Sequence, residues 1–110
     1  ERYIKALKYD FPEPTALLKD GDIVNGFKVL YTPGHTEGSV CFWNEEAKVL
    51  FSGDTLFYRS HGRTDLLGGD DQKMKASLKS LLNLPDETTV YPGHGSNTSI
   101  GAERGWIEKI

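Results

Sequence analysis

A single cysteine, Cys41, stands among the 110 residues. That excludes an internal disulfide framework and any multi-cysteine zinc site. Lying inside the apolar run 40–43, Cys41 reads as a buried strand residue rather than a reactive thiol. Positive charge is also in short supply, with 13 Lys and Arg against 16 Asp and Glu and a net charge of −3. This balance lacks the basic stripe that nucleic acid or an anionic membrane surface requires, so neither is an expected partner. No apolar run approaches the roughly 20 residues of a membrane span. No signal or transit peptide is visible from Glu1 onward, and a cytoplasmic location is the expectation.

What is present is a phrase used three times. The apolar run from Val29 ends in Thr32-Pro-Gly-His35, the run from Val49 ends in Ser52-Gly-Asp54, and the run from Thr88 ends in Tyr91-Pro-Gly-His94. Each time, a side chain able to bind a metal follows a glycine directly at the C-terminal end of a β-run. The length suits one domain with a modest core.

Taken in order, residues 1–9 resemble the tail of an amphipathic helix, and the two prolines within 11–14 break it. Leu17 and Leu18 lead to a turn at 19–22 and a short strand at 23–24. Asn25-Gly26 is a hairpin signal, so 27–32 should run back as the next strand. Residues 39–43 and 48–52 then complete a meander whose outer strands point the same way, bringing His35 and Asp54 to one edge. Glycine-rich 55–70 has no clean periodicity and reads as a long functional loop. Asp70 or Asp71 caps a helix with Met74, Leu78, Leu81 and Leu82 on one face, stopped at Pro85. A crossover through that helix makes 88–91 parallel to 48–52 and delivers His94 to the same edge. Residues 100–110 read as a final helix.

Two imidazoles and a carboxylate suit Zn²⁺ or another borderline transition metal. The competing reading is three ordinary turns with solvated histidines. His61 is either a loop residue or part of a substrate cleft. Arg63 either pairs with Asp65 or meets a substrate carboxylate. Thr36 and Thr55, beside the ligands, are expected to make supporting hydrogen bonds. Trp43 and Trp106 are expected in the core.

The stretches 32–40, 50–57 and 91–95 resemble the third, fourth and fifth metal motifs of the metallo-β-lactamase-fold hydrolases, nearest the short glyoxalase II-like branch. Residues 62–66 and 98–103 are also similar to that branch. The resemblance covers about 19–108 and implies an α+β fold, an αβ/βα sandwich with a dinuclear site, usually zinc, with iron or manganese able to substitute. It implies His35 as a ligand of one metal, His94 of the other and Asp54 as a bridge. It further implies hydrolysis of a small-molecule thioester, acyl-glutathione or a relative, by metal-activated hydroxide. Alternatives on the same fold are lactone or ester hydrolysis and iron-dependent sulfur dioxygenation.

The His-x-His-x-Asp-His string that supplies the other ligands in this family does not occur in these residues. Residues 1–110 are therefore expected to be the C-terminal half of such a domain. By itself the chain is expected to be inactive and to hold one metal ion weakly or none. A further expectation is a non-catalytic half-domain that forms a homodimer through the apolar face its missing half should cover.

Overall fold

The computed structural model describes residues 19–110. The expected helix over 1–9, the proline break and residues 17 and 18 lie outside the described residues. Strands β1 (Ile23–Val24) and β2 (Phe27–Tyr31) form the expected hairpin. Its turn residues Asn25 and Gly26 have φ of 50° and 83°. Positive φ at both central residues gives a turn whose twist matches that of the flanking strands.

Strands β3 (Val40–Asn44) and β4 (Val49–Gly53) extend the sheet as an antiparallel meander, with Val29 opposite Phe42 and Trp43 opposite Leu50. Residues 55–70 differ from a plain loop. They contain a small hairpin, β5 (Leu56–Phe57) and β6 (Ser60–His61), whose two-residue strands are too short to show alternation in sequence. Helix α1 (Asp71–Leu81) then crosses over to β7 (Thr89–Pro92), which pairs parallel with β4. A short β8 (Thr98–Ser99) pairs antiparallel with β7 and leads into helix α2 (Ile100–Ile107), which stops three residues short of the expected 110. The large sheet has the order β1-β2-β3-β4-β7-β8.

Both helices begin at a residue that satisfies an otherwise unpaired N–H. The Asp70 carboxylate accepts from Lys73 N at 2.9 Å, and the Ser99 hydroxyl from Ala102 N at 3.1 Å. Period-2 alternation sends Cys41, Trp43, Leu50 and Val90 to one sheet face, where Met74, Leu78 and Leu81 of α1 and Ile100 and Ile107 of α2 cover them. Full burial of each large aliphatic chain there contributes about 1.5–3 kcal/mol. The opposite face carries Val29 and Phe42 with Phe27, Val40 and Phe51 around them. Cys41 is a buried strand residue as expected, and burial pushes its thiol up to about 11. Trp43 is buried, whereas Trp106 is only partly so. Because β2, β4 and β7 run in one direction, their C-terminal ends share one edge of the sheet.

Candidate metal centre

At that edge the three turns converge. His35 Nε2 is 3.5 Å from Asp54 Oδ2, and His94 Nε2 is 3.5 Å from Asp54 Oδ1. The turns interlock through backbone, since Gly93 N–H donates to Gly53 O at 2.8 Å. Gly34, at φ 147°, lies so close to α1 that a Cβ there would sit 2.5 Å from Met74 Cα. Glycine thus lets the His35 loop lie flat on the helix start, where Asp70 N–H also donates to Gly34 O.

Hydrogen bonds orient His35 and brace the turns around it. His35 Nδ1 is 2.8 Å from the carbonyl oxygen of Arg63. A carbonyl only accepts, so Nδ1–H is the donor there and Nε2 is the ring nitrogen turned toward Asp54. Beneath the edge, the buried hydroxyls of Thr32 and Thr55 meet at 3.2 Å and join the ends of β2 and β4. The Thr36 hydroxyl meets that of Ser39 at 2.8 Å.

The donor set fits a cation. Asp54 Oδ1 is buried without a hydrogen-bond partner among the described residues, on the side that faces His94. A buried acceptor left unsatisfied is uncommon and points to a missing partner. The imidazoles flank opposite oxygens of a single carboxylate. Accordingly, no three His, Cys, Asp or Glu side chains among the described residues surround one point. The arrangement suits two neighbouring positions sharing Asp54 rather than one closed site.

A hollow of about 290 Å³ opens over these groups, lined by His35, Asp54, Phe57, Gly62, Arg63 and His94. The Asp54 side chain is 20% exposed and that of His94 51%, so the carboxylate forms the floor and His94 the rim. The Phe57 ring lies 5.0 Å from the His94 ring. Arg63 lines this space, but its guanidinium is bidentate to Asp65 at 2.8 and 3.0 Å. The guanidinium holds the Asp65 carboxyl down to about 2. His61 is not in the lining. Its Nδ1–H donates to Gly62 O at 2.7 Å, and its ring lies 6.2 Å from Trp106.

Sequence reasoning missed Phe57 and Gly62 as lining residues. The strand-end phrase marks only the three candidate ligands, and Gly62 acts by having no side chain: a Cβ there would fall 1.8 Å from Asp54 O.

Residues 3–94 match the family model of the metallo-beta-lactamase superfamily. The uncharacterized protein ML0493 of Mycobacterium leprae is 48% identical over 103 residues, covering 86% of this chain and 47% of that protein. Hydroxyacylglutathione hydrolase GloC of Haemophilus influenzae is 38% identical over 111 aligned residues, 91% of this chain and 52% of that protein. The crystal structure of TTHA1623 in a di-iron-bound form superposes with a TM-score of 0.81 at 49% identity, covering 86% of this chain and 48% of that one. The chain spans about half the length of the curated relatives it matches.

Proposed function

Since this chain belongs to the metallo-beta-lactamase superfamily, we propose that His35, Asp54 and His94 are its share of a dinuclear metal centre and that the complete protein hydrolyses thioesters. The observation that carries this reading is Asp54, a carboxylate with one imidazole at each oxygen and one of those oxygens buried without a hydrogen-bond partner among the described residues. His35 would hold one ion, His94 the other, and Asp54 both. Zinc is the first choice for this donor set, with iron or manganese as substitutes. Bound there, the metals supply an acidified water and an electrophile for the acyl carbonyl.

The chain's own groups do the rest. Arg63 O fixes the His35 tautomer, so that imidazole needs no reorientation to coordinate. Phe57 offers an apolar wall for an acyl or thiol stem beside His94. Arg63 lies at the mouth and reaches a substrate carboxylate if it exchanges Asp65 for it. Similarity to a hydroxyacylglutathione hydrolase supports a thioester over a β-lactam as substrate. The remaining ligands lie outside the 110 residues in this reading, so the chain alone binds metal weakly and is inactive.

The test is an acyl-glutathione hydrolysis assay with metal analysis, on the gene product that contains this chain and on the chain alone. The expected result is activity with two metals in the former, lost to background in Asp54→Asn, and none in the latter. Tight stoichiometric zinc and robust activity in the 110-residue chain would contradict the shared-centre reading. Oxygen uptake with a single iron, or hydrolysis of lactones but not thioesters, would overturn the thioester assignment.

A further inference from the structure

Glu103 on α2 is 1% exposed and is the one buried residue of formal charge among the described residues. A carboxylate removed from water is costly unless its oxygens are satisfied, and a helix position facing a core is cheaper to fill with leucine or methionine. Here three donors from three elements converge on it. Oε1 accepts the Arg59 backbone N–H at 2.9 Å and the Trp106 indole N–H, and Oε2 accepts the Thr98 hydroxyl. All three are neutral donors, so the group acts as a clamp on N–H and O–H groups rather than as half of an ion pair.

What it clamps is the turn of the β5–β6 hairpin. Arg59 sits there at φ 61°, a left-handed conformation that non-glycine residues adopt reluctantly. The hairpin has only two residue pairs, Leu56 with His61 and Phe57 with Ser60, too few to hold itself. Yet it touches both candidate imidazoles. The Phe57 ring lies tilted against the His94 ring on one side. On the other, Gly62 lies against Asp54, and the next residue, Arg63, supplies the carbonyl that fixes His35.

We infer that Glu103 is a positioning residue for the metal edge, holding the β5–β6 turn from behind so that the hairpin keeps His35 and His94 in register with Asp54. This rests on the reading of those three side chains as metal ligands. It also explains why a carboxylate occupies a core position 44 residues from the backbone N–H it binds.

Two readouts on the gene product that contains this chain separate the coupling from the metal reading. One is the His35 Nδ1–H resonance in metal-free protein. The other is Zn²⁺ affinity from imidazole shifts on titration. In Glu103→Leu the Nδ1–H signal is expected to be lost to solvent exchange, and zinc to bind about tenfold or more weakly. Glu103→Gln keeps an acceptor for Arg59 and Trp106, turns its NH₂ to Thr98, and should restore most of both. The double variant Thr98→Val, Trp106→Phe leaves the Arg59 link intact. It should lower the melting temperature while leaving the Nδ1–H signal and zinc affinity near wild type, which keeps the test open if Glu103→Leu does not fold. A folded Glu103→Leu with an unchanged Nδ1–H signal, or a double variant whose zinc affinity falls with its stability, would overturn the positioning role. Absence of any zinc-induced shift at His35 and His94 in wild type would instead sink the metal reading, with the Nδ1–H comparison still reporting on the coupling.

Discussion

The helix-covered face of the sheet and its candidate metal edge are built on opposite terms. On the face, Cys41, Trp43, Leu50 and Val90 meet Met74, Leu78, Leu81, Ile100 and Ile107 in one hydrophobic cluster. At the edge, the buried groups are Thr32, Ser52, Thr55 and an Asp54 oxygen with no hydrogen-bond partner among the described residues, packed around glycines that admit no side chain. The face stabilises the molecule and is indifferent to chemistry. The edge spends part of that stability on holding polar groups where a cation would satisfy them.

The sharpest way to break this contrast is from the face. Leu78→Ala leaves a cavity between α1 and the sheet and should cost about 2–5 kcal/mol in denaturant unfolding. Zinc affinity measured at a temperature where the variant is folded should stay unchanged. From the edge, Gly62→Ala forces a Cβ into the Asp54 carbonyl. It should destabilise by about 1–3 kcal/mol and abolish zinc binding even in the folded fraction. A Leu78→Ala that loses metal, or a Gly62→Ala that keeps it, would erase the division.

A smaller effect separates unsatisfied polar atoms that serve a purpose from those that do not. Thr88 Oγ1 is buried without a partner among the described residues, away from the ligand turns. Thr88→Val removes that acceptor at constant shape and should be neutral or stabilising by up to about 1 kcal/mol, read from the melting temperature. Asp54→Asn, by contrast, should remove metal binding whatever it does to stability.

The smallest effect is acid-dependent. The exposed Asp65 carboxyl is held at about 2 by the Arg63 guanidinium, below its ordinary 3.8. A depressed folded pKa contributes stability that is present above the unfolded value and is lost as pH falls from about 4 toward 2. Solvent and salt screen a pair this exposed. Asp65→Asn should therefore show a slight deficit at neutral pH and low salt that closes by about pH 2. A deficit that persists there would mean the residue acts through packing instead.

The same contrast governs what was legible in the sequence. The meander, the crossover helix and the shared edge follow from alternation in 27–32, 39–43 and 48–52, from Asn25-Gly26, and from the spacing of Met74, Leu78 and Leu81. These are local or periodic signals. The convergence of His35, Asp54 and His94 was legible because each ends a strand after glycine. The hairpin Leu56–His61 was not, since two-residue strands carry no period and its turn uses Arg59 at positive φ without a glycine to announce it. Glu103 was also hidden: a glutamate on a helix reads as a solvent-facing residue, and its decisive partner is a backbone N–H remote in sequence. The support of His35 by Arg63 was illegible for the same reason, because a main-chain carbonyl has no residue code.

The most direct test follows His35, His61 and His94 by ¹⁵N-resolved imidazole spectra during a Zn²⁺ titration of the gene product that contains this chain. The account predicts that the Nε2 signals of His35 and His94 move together, that His61 stays still, and that Asp54→Asn suppresses both responses. Equal movement of His61, or an undiminished response in the Asp54→Asn protein, would contradict it.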